Sequence, residues 1–211
     1  MSCNSLRDFL LYLEKAGQLI RVKEKVSSVL EITEIHRRLI KQQGPAVLFE
    51  NVETENGKSE IPVLTNLYCT PERIAKAMNI KPDEFTKLGE TIAMLRQPQP
   101  PGGFKEAVGM LPIVKKLLSM SPKTVRKAAC QEVVLKGDDI DLAKLPIQTC
   151  WPGEPAPLIS WWLIVTKGAT GKAAEADDFN LGIFRMQVVE KDKALMRWLK
   201  HRGGAMQYKR W

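Results

Sequence analysis

The chain has 211 residues, 44% of them hydrophobic and 27% charged, with a formal net charge of +8. This is the composition of an ordinary globular protein, long enough for a sizeable core and one or two domains. No apolar run approaches the ~18 residues that cross a bilayer, and the first residues lack the basic-then-apolar pattern of a secretory signal, so the expected location is the cytoplasm.

Cys3, Cys69, Cys130 and Cys150 lie far apart with no C-x-x-C pair, which excludes a disulfide framework and a zinc ribbon and predicts reduced thiols. His36 and His201 are the only histidines, so a histidine-rich metal site is excluded.

Ser5-Leu-Arg-Asp8 is a capping-box-like helix start, Leu6, Phe9, Leu10 and Leu13 recur at helical spacing, and Gly17 suits a left-handed stop. These predict a helix over 6–16. Leu19–Val22 reads as a short strand, and residues 30–42 as a second amphipathic helix with Glu34 four before Arg38. His36, inside that helix, reads as a surface or locally hydrogen-bonded residue. Ala46–Phe49 and Ile61–Leu64 are strand-like, divided by a polar loop from Glu53 to Glu60 that carries Asn56-Gly57. Thr70-Pro71 is an N-cap and N1 pair for a helix to about Met78, and another helix is predicted over 82–96. This alternation predicts an α/β layer packed on one sheet.

Gln97-Pro-Gln-Pro-Pro-Gly-Gly103 can continue neither helix nor sheet, and an apolar helix over 111–120 follows, ending at Ser121-Pro122. A domain boundary is placed here, giving domains 1–120 and 121–211; a rigid surface loop within one domain fits the same residues. Beyond it the pattern is strands and turns: Glu132–Leu135, a Gly137–Asp139 turn, Leu158–Lys167, a small-residue loop over 168–178, Asn180–Val189, a Lys191-Asp192 turn and Ala194–Leu199. Period-2 alternation predicts antiparallel pairing, with Ile183, Arg185 and Gln187 on one face and Gly182, Phe184 and Met186 on the other.

The last 32 residues hold the most chemistry. Eight Lys/Arg stand against Glu190 and Asp192 from Asn180 onward, which places six of the eight net positive charges there. Arg185, Arg197, Arg202, Gly203 and Gly204 are the residue types that grip a phosphate, through guanidinium forks and unobstructed backbone N–H groups. Asn180 and His201 could each give one ligand to a hard divalent ion completed by phosphate oxygens. Salt-bridged surface arginines and a glycine turn are the plainer reading of the same residues. Were Arg185 to face an interior, it would need a carboxylate or an anion, because an unpaired buried charge costs several kcal/mol.

The runs Asn180-Leu-Gly-Ile-Phe-Arg-Met-Gln187 and Met196-Arg-Trp-Leu-Lys-His-Arg-Gly-Gly204 resemble the signature of the UbiD family of prenylated-FMN-dependent decarboxylases. More narrowly, they are similar to the 3-octaprenyl-4-hydroxybenzoate carboxy-lyases of ubiquinone biosynthesis. The likeness continues through Lys144–Gly153, Pro157–Trp161 and Ser5–Leu10, and so covers essentially the whole chain. It implies an α+β fold: an N-terminal α/β domain, then an incomplete split β-barrel of the flavin-reductase type. It also implies that Asn180 and His201 help bind Mn, with a later glutamate completing the site. By the same resemblance Ile183, Phe184, Arg185, Arg197, Trp198, Leu199, Arg202 and Gly203 bind prenylated FMN. Arg185 further joins a catalytic network with two acids, one of them the proton donor, beyond residue 211.

The implied reaction is non-oxidative decarboxylation of a polyprenyl-4-hydroxybenzoate by a homo-oligomer. The lipid-soluble tail makes peripheral contact with the inner face of the cell membrane consistent with this reading. Two departures stand out: Asp177-Asp178-Phe179 replaces a basic and amide pair, and Trp162 replaces a common glycine. The family's enzymes also run on for more than this chain's own length, so the chain is expected to be a truncated portion without turnover of its own. A non-catalytic oligomerisation or partner-binding fragment is the alternative. Nucleic-acid binding, suggested by charge and by Trp198, Tyr208 and Trp211, is set aside because no groove-reading motif accompanies them.

Overall fold

Ala46–Phe49 presents four apolar side chains in a row, and all four are buried, the pattern of a strand covered on both faces. It is the third strand, β3, of a computed structural model that describes residues 3–97, 102–119, 125–168 and 179–210. Ahead of it come α1 (Leu6–Lys15), β1 (Leu19–Val22), β2 (Val26–Ser27) and α2 (Glu31–Lys41). After it come β4 (Val52–Thr54), β5 (Gly57–Lys58), β6 (Val63–Thr65) and α3 (Pro71–Ala77).

β3 is the centre of a three-stranded sheet, parallel to β1 and antiparallel to β6. Its alternation divides the core. Ala46 and Leu48 join Phe9, Leu13 and Leu19, while Val47 and Phe49 join Val26, Ile32, Val52 and Val63. Thus α1 covers one face of β3 and α2 the other. Full burial of a side chain such as Phe49 contributes about 1.5–3 kcal/mol.

Local signals explain the helix ends. Ser5 Oγ accepts from the Asp8 N–H at 3.1 Å and the Asp8 carboxylate accepts from the Asn4 N–H at 3.2 Å. Gly17, at φ +66°, turns the chain out of α1. Thr70 Oγ1 accepts from the Arg73 N–H, with Pro71 in the first turn of α3. On α2, Glu34 pairs with Arg37 and Arg38, and their hydrogen bonds push its carboxyl down to about 2. These groups are solvated, so the pairs contribute little to stability.

The start of α2 is less regular. Leu30 takes φ +62°, and the Glu31 N–H donates to the Val29 carbonyl at 2.7 Å, a strained γ-turn. The Leu30 N–H donates to the Thr149 carbonyl at 2.9 Å and the Thr149 N–H to the Ser28 carbonyl at 3.2 Å. This ties the first layer to the later strands.

Those strands are β7 (Leu158–Lys167), β8 (Phe179–Glu190) and β9 (Lys193–Met196), an antiparallel sheet in that order, followed by α6 (Gly203–Arg210). Residues Met1–Asn79 and Leu135–Trp211 form one compact unit. Residues Ile80–Val134 form another, built on α4 (Phe85–Arg96) and α5 (Phe104–Leu118).

Several expectations need correction. The first layer contains two three-stranded sheets rather than one, because a bend at Glu24 carries β2 away to pair with β4. Much of the polar loop at Glu53–Glu60 is the β4–β5 hairpin, closed where Thr54 Oγ1 donates to the Gly57 carbonyl at 2.9 Å. The helix expected over 111–120 begins at Phe104 and runs through Pro112; Phe104, Val108 and Leu111 already fall at helical spacing. Glu132–Leu135 is not a strand, since no partner pairs with it among the described residues and Val133 stays exposed. The Gly203-Gly204 pair opens a helix where a turn was expected. The turns at 98–101 and Ser121-Pro122, the loop 169–178 with Asp177 and Asp178, and Trp211 lie outside the described residues.

Candidate functional site

The β7–β8–β9 sheet has two unlike faces. Register places Leu163 opposite Ile183, Val165 opposite Leu181 and Gln187 opposite Leu195, with Arg185 on the same side. This face is apolar and exposed. The other face carries the pairs Trp162–Phe184, Thr166–Asn180 and Met186–Met196, and α6 packs upon it.

Aromatic packing seats the helix. The Trp198 ring lies 5.0 Å from Phe184 and 6.5 Å from Tyr208. A Cβ added at Gly204 would fall inside the Trp198 indole and 2.7 Å from Phe184 Cζ. A Cβ at Gly203 would collide with Asn180 Oδ1 and lie 2.9 Å from Asn180 Cγ. Gly204 is therefore required by close approach, because a ring cannot swing aside, whereas a side chain at Gly203 would have to displace the Asn180 carboxamide.

Between the ends of these elements lies an open cleft of about 600 Å³. Asn180, Ile183, Phe184, Arg185, Arg197, Leu199, Arg202 and Gly203, all expected from the sequence, line it together with Leu181 and Gly182. The Arg197 N–H donates to the Arg185 carbonyl at 3.2 Å, which holds the two arginines on neighbouring chain segments. Arg202 precedes α6, and the Met206 N–H donates to its carbonyl at 3.1 Å. The N–H groups of Gly203 and Gly204 lack intrahelical acceptors at that end. Two expected residues stand apart: Trp198 is committed to packing under α6, and His201 is exposed in the turn before the helix, outside the cleft lining.

The electrostatics favour an anion. Among the described residues, Arg185, Arg197 and Arg202 make no ion pair; Glu190 is taken by Lys193, and no Asp or Glu lines the cleft. Three arginines in the lining of a cleft that also holds the first residue of α6 suit a phosphate in charge and in donor type. Leu181, Ile183 and Leu199 add an apolar wall on which a planar ring system could rest. For a divalent cation the chain offers Asn180 Oδ1, which makes no hydrogen bond among the described residues, and His201. Among them no cluster of three His, Cys, Asp or Glu exists, so a metal here would need further oxygen donors.

Two neighbours of the site escaped sequence reasoning. Thr166 donates and accepts against Asn180 from the adjacent strand, a relation visible only once register is known. Cys150 lies near Arg185: burial pushes its thiol up, the Thr33 hydroxyl pulls it down, Glu154 raises it further and the Arg185 guanidinium lowers it. A second hollow of about 310 Å³, lined by Thr54, Asn56, Pro157, Val188 and Lys191 among others, holds no arginine, and the Lys191 ammonium is spent on the Asp138 carbonyl.

The chain is similar to known proteins in sequence and in fold. Family models of the 3-octaprenyl-4-hydroxybenzoate carboxy-lyase (UbiD) N-terminal domain and Rift-related domain match residues 10–92 and 123–211. Among solved structures, the closed form of vanillic acid decarboxylase from Sedimentibacter hydroxybenzoicus aligns over 99% of this chain and 40% of its own, at 25% identity and TM-score 0.72. An evolved dimeric form of the UbiD-class enzyme HmfF from Pelotomaculum thermopropionicum, in complex with prFMN, aligns over 98% and 41% at 24% identity and TM-score 0.68. The 3,4-dihydroxybenzoic acid decarboxylase of Enterobacter cloacae aligns over 99% and 40% at 21% identity and TM-score 0.70. The chain thus spans about two fifths of the length of these relatives. No helix among the described residues is long and apolar enough to cross a membrane.

Proposed function

Because the chain belongs to the UbiD family, whose members are carboxy-lyases, we propose that it forms the flavin-phosphate half of a prenylated-FMN-dependent decarboxylase. The substrate class is an aromatic acid, a polyprenyl-4-hydroxybenzoate of ubiquinone biosynthesis. Its tail gives a reason for peripheral membrane contact, and the working form is a homo-oligomer. In this reading β7–β9 are strands of a split β-barrel of the flavin-reductase type, in a domain that starts near residue 121.

One observation carries the proposal: three arginines with no carboxylate partner among the described residues line one cleft with Gly203, the first residue of α6. Arg197 and Arg202 hold the phosphate together with the free N–H groups of the helix. Leu181, Ile183 and Leu199 exclude water from one side of the ring. When bound, the prenylated flavin supplies the electron sink for the carbon that loses CO2. Arg185, exposed beside that wall, is the residue to orient the substrate carboxylate and to hold a neighbouring acid in its charged form. Since no carboxyl group among the described residues lines the cleft, the proton for that carbon comes from an acid outside those lining residues. Mn, if it takes part, would be held by Asn180 Oδ1 from the cleft and by His201 from the turn before α6, outside the cleft lining, and would offset the phosphate charge.

FMN titrated into the 211-residue chain and followed by quenching of tryptophan fluorescence tests this reading. Saturable binding is expected, weakened about 10–150-fold by Arg197→Ala or Arg202→Ala, the equivalent of one or two charge-assisted hydrogen bonds. Failure of the folded chain to bind FMN would favour the second reading, a non-catalytic oligomerisation or partner-binding fragment. The exposed apolar face at Leu163, Val165, Leu181, Ile183 and Leu195 is the observation on its side.

A further inference from the structure

Asn180 stands at a point of chemical conflict. Its Oδ1 is an acceptor, yet it shares the cleft with Arg185, Arg202 and the first residue of α6, where the charge pattern calls for an anion. An acceptor oxygen facing phosphate oxygens repels them unless a cation lies between. The orientation of this carboxamide therefore decides what the site can hold: with Oδ1 outward it can ligate a cation, and with Nδ2 outward it can only donate to the anion.

The structure shows what sets that orientation. Thr166 is the register partner of Asn180 across the β7–β8 pair. Its hydroxyl donates to the Asn180 backbone carbonyl in a long contact of 3.5 Å, and Asn180 Nδ2 donates to the same hydroxyl at 3.3 Å. A hydroxyl has one proton. With that proton directed at the backbone carbonyl, Thr166 can only accept from the carboxamide, so it selects the NH2 end and sends Oδ1 the other way. The β-branch restricts χ1 of Thr166, so the selecting hydroxyl has few other places to go. On the opposite side Gly203 leaves the space Oδ1 occupies, which any Cβ would take.

We propose that Thr166 and Gly203 form a clamp that positions the Asn180 carboxamide, with Oδ1 presented as a divalent-cation ligand beside the phosphate site. Thr166 touches neither ion nor cofactor and acts only through Asn180. The role of the clamp rests on the functional reading above, whereas its existence does not.

Two measurements separate these. In the ligand-free chain, the Asn180 side-chain amide is read by 15N–1H NMR, assigned through Asn180→Asp. The clamp predicts two dispersed, slowly exchanging protons that collapse toward free-amide values in Thr166→Val and persist in Thr166→Ser. An Asn180 amide that is already free, or that ignores Thr166→Val, overturns the proposal. In the second measurement Mn is titrated by its EPR signal in the presence of FMN. Thr166→Val should weaken Mn binding about 10–100-fold, the usual loss when the partner of a metal ligand is removed, while FMN affinity measured without Mn stays unchanged and Thr166→Ser restores Mn. Unaltered Mn affinity in Thr166→Val contradicts the positioning role. If the wild-type chain takes up neither FMN nor Mn, the functional reading and the clamp's assigned role fall together, while the amide resonances still decide whether the clamp exists.

Discussion

Gly203 and Gly204 are adjacent in sequence and differ in what they make room for. At Gly204 a methyl group would enter the Trp198 ring, which Phe184 and Tyr208 hold in place. Gly204→Ala should therefore destabilise the fold by about 1–3 kcal/mol, the typical cost of overpacking. At Gly203 the obstacle is the end of a flexible side chain, so Gly203→Ala should leave the thermal midpoint close to wild type while displacing the Asn180 carboxamide. Melting curves beside the Asn180 amide resonances distinguish the two; equal destabilisation would contradict the difference. The Gly-Gly pair was legible in the sequence as a place of close approach. That the approach is made by an indole and a carboxamide was not, because neither neighbour is fixed by spacing along the chain. Arg185, Arg197 and Arg202 were legible for the opposite reason, since an arginine-rich stretch with so few acids leaves its charges without local partners.

At the scale of elements, signals carried by a few consecutive residues survived into the structure. The caps at Ser5 and Thr70, the stop at Gly17 and the buried run of β3 are of this kind. What failed depended on distant pairing: Glu132–Leu135 has strand composition and no partner among the described residues, and β2 finds β4 rather than β1. One side-chain link between elements carries a pH dependence. His36 on α2 and Thr65 on β6 share a 2.6 Å hydrogen bond through Nδ1, and burial lowers the imidazole below its ordinary 6.5. Below that value the unfolded chain takes up a proton that the folded chain resists. The contribution to stability is thus complete above pH 6.5 and declines as pH falls through the lowered folded value. Denaturant melts at pH 7.5 and 5.5 should show this decline, and His36→Gln should reduce it. An unchanged slope in the variant would assign the dependence to other groups.

For the whole molecule, the chain divides into a unit carrying both the β3 core and the cleft, and a helical unit over Ile80–Val134. In the first, hydrogen bonds from Leu30 and Thr149 join the N-terminal layer to the segment that leads into Cys150, whose thiol lies near Arg185. The site is thus assembled on two layers distant in sequence. The family signature identified the segments that line the cleft, yet neither motif spacing nor charge could have shown Thr166 behind Asn180. The C-terminal cleft is proposed as a flavin-phosphate site, and a crystal structure of the chain grown with FMN is its sharpest test. The phosphate is expected within hydrogen-bonding distance of Arg202 or Arg197 and of the first N–H groups of α6, with the ring against Leu181 and Ile183. FMN seated elsewhere, or a phosphate reaching none of these groups, would contradict it.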